Sequence, residues 1–463
     1  MNNKGMRIKP QLPRGMRDFL PDAMQKRQAV SKKIQDIFEK YGFAPLETPA
    51  IERLDVLTGK YGEESDRLIF KILKRGDALG EKGTELSDMG LRYDLTVPLG
   101  RVVAMHAQNI KLPFKRYQMQ PVWRAEKPQR GRFREFYQCD VDIVGIEDIS
   151  ADAEIMALVH EILEVLGLPN FRIHFNHRKI LSGMAEVLDV PTSKANLFFV
   201  TLDKMDKVGF AGVKREMEER GISREAIAGL ENFSKISGDA ETVFEMTATM
   251  LKSSGTGKEG IEETKKLYDL AKALNIPEKH LCFDIFLARG LEYYTGPIYE
   301  SVIKDPPIGS LTGGGRYDEL IGMFLGTHIP ATGTSIGIER ILAILDELDL
   351  MPETRSCVEV LVAYTAASLQ EAAMELTATL RKAGLKTEVY LSPSRLKKQL
   401  RYADTRGIPF AVILGEEEWN SRQIILRNMV KKSQQLVQAD NLSQTIGEAV
   451  SCLVAEFKQS SNP

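Results

Sequence analysis

Residues Tyr117–Gly145 read YQMQPVWRAEKPQRGRFREFYQCDVDIVG, which parses as a strand, a charged loop and a second strand. In the first arm Tyr117, Met119, Pro121 and Trp123 alternate with Gln118, Gln120, Val122, Arg124 and Glu126. In the second, Tyr137, Cys139, Val141 and Ile143 alternate with Arg134, Phe136, Gln138, Asp140 and Asp142. Alternation with period two marks half-buried strands. The face turned from the core carries Arg, Glu, Gln and Asp, so the hairpin reads as the floor of a polar site. The loop Lys127–Arg132 is basic and holds Pro128 and Gly131. Arg124 and Arg132 are placed to hold phosphates, because a guanidinium meets a phosphate through two parallel hydrogen bonds. Gln138 and Asp142 suit a cationic or donor-rich small molecule. Taken alone, the same stretch describes equally well a surface hairpin with solvated ion pairs, which contribute little.

Arg124-Ala125-Glu126 followed by Phe133-Arg134-Glu135-Phe136 resembles the second signature motif of class II aminoacyl-tRNA synthetases. The longer run FREFYQCDVDIVG is similar to the histidyl-tRNA synthetase family in particular.

The chain has 463 residues, enough for two to four domains at roughly 100–200 residues each. It is 43% hydrophobic and 27% charged, a balance that supports a large core. Its 62 Lys+Arg and 64 Asp+Glu give a net charge of -2, so a nucleic-acid partner must be met by local patches instead of an overall basic excess. Cys139, Cys282, Cys357 and Cys452 are scattered without metal-binding or disulfide-framework spacing. The first residues lack an apolar core, and no run of about 18 apolar residues occurs. A soluble cytoplasmic protein without membrane segments is expected.

Outward from the hairpin toward the N-terminus, a helix is expected from about Asp22 to Tyr41, with Val30, Ile34, Ile37, Phe38 and Tyr41 on one face and Gly42 as its stop. Phe43–Pro49 is then extended, kept from helix by its prolines. This pair resembles the first class II motif, and the resemblance implies a homodimer built on it. Lys60–Gly90 is polar and Gly-rich and reads as a mobile segment over a site. In Leu91–Arg101 (LRYDLTVPLGR), Asp94 and Thr96 are two apart and are expected on one face of an extended segment. Alone they are a turn Asp and a solvated Thr. LRYDLTVP is similar to the histidine-binding segment of the family.

Toward the C-terminus, Asp152–Leu166 reads as a helix and Phe171–His177 as a strand with His174 and His177 on opposite sides, structural residues and not metal ligands. Residues 178–280 are helix-rich and more charged, an inserted helical domain. Ser254–Gly260 imitates a phosphate loop but lacks the first required glycine and follows no strand. Strand character returns at Cys282–Ile303. There LARGLEYYTG (Leu287–Gly296) resembles one histidine-specific signature, with Glu292 where the family often has Asp; GGGRYDELI (Gly313–Ile321) resembles a second. Arg289, Tyr293, Tyr294 and Tyr317 are the residues these signatures carry over. A fixed Arg stabilises developing negative charge, and tyrosines offer flat walls with a hydroxyl. Three successive glycines permit close approach to a ligand. Gly333–Leu345 is a strand entering an apolar helix, with Arg340 in its first turn where anions are already favoured. It resembles the third class II motif; alone it is a helix start with a Glu339–Arg340 surface pair. After a linker at 347–356, strands at Val358–Tyr364, Thr387–Leu391 and Phe410–Leu414 alternate with helices near Ser368–Ala383 and Ser394–Arg406. Arg395, Lys397, Lys398, Arg401 and Tyr402 form either a basic RNA-binding patch or a solvated helix face.

The resemblance implies an α+β fold: the class II antiparallel sheet flanked by helices, in two parts (1–177 and 281–350), with a helical insertion (178–280) and a C-terminal α/β anticodon-binding domain (356–463). It implies ATP and Mg2+ as co-substrate and cofactor, L-histidine and tRNA(His) as partners, and no separate protein metal site. Arg124 would align the α-phosphate and the histidine carboxylate. Glu126, Arg132 and Arg340 would hold ATP. Asp94, Thr96, Gln138, Asp142, Tyr293, Tyr294 and Tyr317 would form the histidine pocket with Arg124, and Arg289 would act as the electrostatic catalyst beside the reacting carboxylate. The alternative is a regulatory paralogue that binds histidine without making adenylate. Such proteins lack the C-terminal domain and lose signature residues, whereas Arg124, Arg289 and Arg340 are all present. A synthetase for threonine, proline or glycine would share the class motifs but not the two histidine signatures.

Overall fold

The computed structural model describes residues 9–59, 66–75, 86–129, 131–289, 293–352, 356–392, 394–441 and 444–448. The chain divides into two compact units, Met1–Pro352 and Glu353–Pro463.

The first unit is built on an eight-stranded sheet. Its strands are β1 (Ala44–Pro45), β5 (Phe114–Trp123), β6 (Glu135–Val144), β7 (Phe171–His177), β8 (Leu281–Phe283), β9 (Pro297–Ile303), β10 (Thr312–Arg316) and β11 (Ala331–Ile336). Their spatial order is β1-β5-β6-β11-β10-β9-β7-β8. The two outermost pairs, β1–β5 and β7–β8, are parallel and the others antiparallel. The opening hairpin is β5–β6, paired from Phe114↔Val144 to Trp123↔Glu135. Gln138–Val144 are buried on both faces, so the polar residues of β6 lie beneath a cleft.

Helix α1 spans Pro21–Lys40, and Val30, Ile34, Ile37 and Phe38 are its buried stripe. Pro21 opens it, where a missing N–H costs nothing, and Gly42 at φ +79 follows its end. Tyr41 is only half-buried. The stripe packs on a helix at Ser150–Val165, whose apolar face is buried from Ala151 to Leu163.

Two stretches differ from expectation. Part of the presumed mobile segment is folded: β3 (Lys71–Leu73) and β4 (Ser87–Leu91) join β2 (Ile51–Arg53) in a small sheet of order β2-β4-β3. Residues 60–65 and 76–85 lie outside the described residues. Three-residue strands are too short to show a period. Thr96 is not in an extended segment but is the first residue of a helix, Thr96–Met105. Asp94 supplies the start by accepting the Val97 N–H at 3.1 Å.

Between β7 and β8 the chain makes six α-helices, from Arg178–Val187 to Gly255–Ala273. Ser254 caps the last of them through Gly257 N–H at 2.8 Å and is a helix start, not a phosphate loop.

The second unit has a five-stranded sheet of β12 (Val360–Tyr364), β13 (Thr387–Val389), β14 (Phe410–Leu414), β15 (Gln423–Asn428) and β16 (Ser433–Gln438), in the order β13-β12-β14-β15-β16. The first three are parallel; the β15–β16 hairpin, absent from the sequence reading, extends the sheet antiparallel. Helices Gln370–Lys382 and Leu396–Thr405 are the crossovers. On the second, Arg395, Lys397, Lys398 and Arg401 are exposed. Tyr402 is half-buried: it donates to Glu388 at 2.6 Å and packs edge-on against Tyr390.

Candidate active site

A cleft of about 870 Å³ lies over β6, β11, β10 and β9. Its lining includes all twelve candidate residues: Asp94, Thr96, Arg124, Glu126, Arg132, Gln138, Asp142, Arg289, Tyr293, Tyr294, Tyr317 and Arg340. They come from seven separate stretches of chain, brought together by the sheet.

Register explains the floor. One cross-strand row runs Arg116, Asp142, Gly333, Gly315; its neighbour runs Gln118, Asp140, Ser335, Gly313 and Glu300. Directly paired residues share a face, so each row is a line of side chains about 4.8 Å apart under the cleft. Glycine stands where something must lie over the strand. A Cβ on Gly333 would overlap the Asp142 carboxylate, and one on Gly313 would overlap the Arg289 guanidinium. Gly314 and Gly315 are approached by the β11 backbone and by Tyr294, so among the three glycines Gly313 is the one that opens room within the cleft.

One end of the cleft is acidic. Arg116 is fully buried and lies 2.7 Å from Asp142, which also accepts the Tyr317 hydroxyl. Arg116 further donates to Leu95 O and Gln118 Oε1, both at 3.3 Å, and so ties β5 to the Asp94 segment. Burial raises the Asp142 carboxyl, opposed by Arg116. Asp140 is buried beside it and is pushed up to about 7, by burial first, against Arg116, with Asp142 and Asp94 adding repulsion. Gln138 donates to Ser335 Oγ at 2.9 Å, while its Oε1 and Asp140 Oδ1 have no hydrogen-bond partner among the described residues. Buried acceptors left open this way fit a ligand that brings donors. The Tyr293 and Tyr294 rings lie tilted to each other with centroids 4.9 Å apart, and Tyr293 meets Tyr317 edge-on at 5.9 Å.

The other end is basic. Arg124 donates to Tyr93 O at 3.1 Å and lies over the Tyr93 and Phe136 rings, which fixes its plane. Arg132 pairs with Glu126 at 3.4 Å. Arg340, the third residue of the helix Ile338–Glu347, donates to Ser310 O at 2.5 Å. Burial, then repulsion from Arg132 and Arg289, pulls the Arg340 guanidinium below its ordinary pKa, so three cations converge on one region. Arg289 sits between the ends. Its backbone is left-handed at φ +41, unusual for a residue with a side chain, and Glu300 holds its guanidinium at 2.9 Å. Residues 290–292, including Glu292, lie outside the described residues.

Several site residues escaped the sequence reading. Arg116 stands one residue before the arm that was parsed, and only the register puts it opposite Asp142. Asp140 was on the polar face and inside the quoted run, but was given no role. Glu300 is visible as the lone charge within the apolar strand PIYESVI. Glu339 is not the surface partner of Arg340 that the helix start alone would suggest; it is a buried carboxylate bound by Arg17 and Arg27 at 2.5 and 2.6 Å. His174 also lines the cleft, 2.9 Å from Asp284, whereas His177 faces Glu263 at 2.8 Å.

The raised Asp140 pKa has a sign that can be measured. Between the ordinary carboxyl range and about pH 7 the folded protein holds a proton there that the unfolded chain has lost. Asp140 therefore subtracts stability as pH rises through that window. Asp140→Asn, which cannot ionise, should gain in melting temperature over the parent on going from pH 5 to pH 8. A difference that stays constant with pH would show that Asp140 is ionised throughout.

The histidyl-tRNA synthetase family matches residues 15–341, and an anticodon-binding domain family matches residues 359–449. The histidine–tRNA ligase of Cytophaga hutchinsonii is 42% identical over 450 residues, covering 94% of this chain and 98% of that protein. That of Porphyromonas gingivalis is 41% identical, covering 93% and 98%. The crystal structure of histidyl-tRNA synthetase from Nostoc superposes with a TM-score of 0.82 at 32% identity, covering 96% of this chain and all of that one. By sequence along nearly its whole length and by the class II fold, the chain belongs to the histidyl-tRNA synthetase family.

Proposed function

We propose that this cleft activates L-histidine with ATP and passes the histidyl group to tRNA(His). The observation that carries the reading is the cleft's polarity: carboxylates and open acceptors at one end, converging guanidinium groups at the other, with Arg289 between them. Histidine brings an ammonium and an imidazole to the first end. A polyphosphate suits the second. In the first step a histidine carboxylate oxygen attacks the α-phosphorus and pyrophosphate leaves; in the second a terminal ribose hydroxyl of the tRNA attacks the histidyl carbonyl and AMP leaves.

Asp94, Thr96, Gln138, Asp142, Tyr293, Tyr294 and Tyr317 hold the amino acid. Asp142, oriented by Tyr317 and backed by Arg116, accepts from the imidazole. Arg124, its plane fixed by two rings, bridges the histidine carboxylate and the α-phosphate. Glu126 and Arg132 hold the nucleotide, and Arg340 its outer phosphates. Arg289 stabilises the charge that builds up as the carboxylate and phosphate meet, so that no general base is needed. Mg2+ would arrive on the ATP phosphates, screening their charge. Buried polar partners explain selection without editing, since such a site rejects analogues that leave them unpaired by about 10⁴–10⁵-fold. Residues 356–463 would read the tRNA, with the exposed basic helix at Leu396–Thr405 on their surface, and the insertion at 178–280 would face the acceptor arm. The protein would work as a cytoplasmic homodimer joined through α1 and β1; no described helix is long and apolar enough to cross a membrane.

Amino-acid-dependent ATP–pyrophosphate exchange, run separately with all twenty amino acids, tests the reading. Exchange is expected with histidine alone. Histidine binding without exchange would indicate the regulatory role, and exchange with another amino acid would overturn the pocket assignment.

A further inference from the structure

The segment Pro13–Phe19 (PRGMRDF) crosses the hairpin loop on its way to α1. Its contacts fall on two elements that are far apart in sequence. Gly15, at φ +86, accepts the Arg134 N–H at 2.8 Å, and a Cβ there would come 2.7 Å from Pro128 and 2.9 Å from Arg134. The Arg17 guanidinium lies 3.3 Å from the centre of the Phe133 ring, next to Arg132, and its other edge bonds Glu339, next to Arg340. Glu339 is the knot. It takes Arg17 on one oxygen, Arg27 of α1 on both at 2.6 and 3.1 Å, and the Tyr137 N–H of β6 at 3.3 Å. Both arginines also flank the Phe19 ring, at 4.9 and 4.8 Å. A carboxylate this buried persists only while its cations remain, since loss of a partner leaves a desolvated charge. The loop tip rests on the same helix, with Gly131 placed so that a Cβ would be 3.7 Å from Arg340 Cγ.

We propose that Pro13–Phe19 is a clasp that fixes the loop bearing Glu126 and Arg132 against the helix bearing Arg340, with Arg17 as its positioning residue. The inference rests on the reading that these three residues grip ATP. Arg17 touches no reacting group; it sets the distance between two groups that must reach the same polyphosphate. Its loss frees the loop relative to the helix while the histidine end, built on β6, β11 and Arg116, is left alone.

The test is pyrophosphate exchange at varied ATP and varied histidine for Arg17→Ala, Arg17→Lys and, as reference, Arg340→Ala, with a melting curve for each. Arg17→Ala is expected to raise the KM for ATP about tenfold, the loss of one charge-assisted bond, with the KM for histidine within about twofold. Arg17→Lys should recover part, because it keeps the charge for Glu339 but not the flat stack on Phe133. Phe133→Leu should reproduce the ATP-selective effect and replaces Arg17→Ala if that variant does not fold. A rise in ATP KM for Arg340→Ala with none for the Arg17 and Phe133 variants would overturn the clasp and leave the ATP site standing. An equal rise in both KM values for Arg17→Ala would mark general loosening and also overturn it. No change in ATP KM for any of the variants would overturn the clasp together with the ATP assignment.

Discussion

Arg289→Ala is expected to lower the rate of histidine-dependent adenylation by about 10²–10³-fold while changing the affinity for histidine far less, the size of effect seen when one preorganised donor to a developing charge is lost. The structure gives three reasons. The guanidinium is held at 2.9 Å by Glu300, so it is fixed before any ligand arrives. Glu300 is itself held at 2.9 Å by Ser310. A left-handed backbone at Arg289 and the missing side chain of Gly313 together lay the group over the sheet. Arg289→Lys should recover little, since an ammonium cannot keep Glu300 and span two oxygens of a ligand together. Single-turnover rates beside equilibrium histidine binding decide the matter. Equal losses in both would reduce Arg289 to a substrate-binding residue.

Asp142→Ala should produce two effects of separate origin. The histidine requirement should rise by about 10²-fold or more, because a buried charged acceptor to the imidazole is gone. Stability should fall by about 3–5 kcal/mol, because Arg116, with no exposed surface, loses the carboxylate that pairs with it at 2.7 Å. A double replacement, Arg116→Met with Asp142→Leu, separates them. It removes both charges and should restore most of the melting temperature while the histidine requirement stays high. If the requirement returned with the stability, Asp142 would be a structural partner of Arg116 and not part of the pocket.

The sequence carried the hairpin, the strand before the basic helix, the glycine run and the alternating second unit because each has a period or a punctuating residue. The twelve candidate residues were reached through short motifs, and the sheet does bring them to one cleft. What stayed hidden depends on partners across strands. Alternation shows that Asp140 and Asp142 share a face but not that Arg116 lies beside Asp142 on the next strand. Nor does it show which polar face is covered, and here burial, not composition, moves Asp140 toward neutrality. Glu339 looked like a surface charge because its partners, Arg17 and Arg27, are more than 300 residues away. The small sheet β2-β4-β3 was missed for a local reason: two of its strands have three residues.

The place of β11 has a consequence for how the protein is made. This strand is the last of its sheet to be synthesised, yet it lies at the centre, between β6 and β10. Until residue 336 has left the ribosome, the nascent chain holds two half-sheets, each with an open edge facing the other. Open edges invite pairing with foreign strands, and contacts that span about 200 residues form slowly. Closing the seam also completes the catalytic cleft, because Gly333 and Ser335 arrive with that strand. Histidine therefore cannot assist the early stages of folding, and a chaperone that meets the nascent chain finds its most vulnerable surface at the future active site.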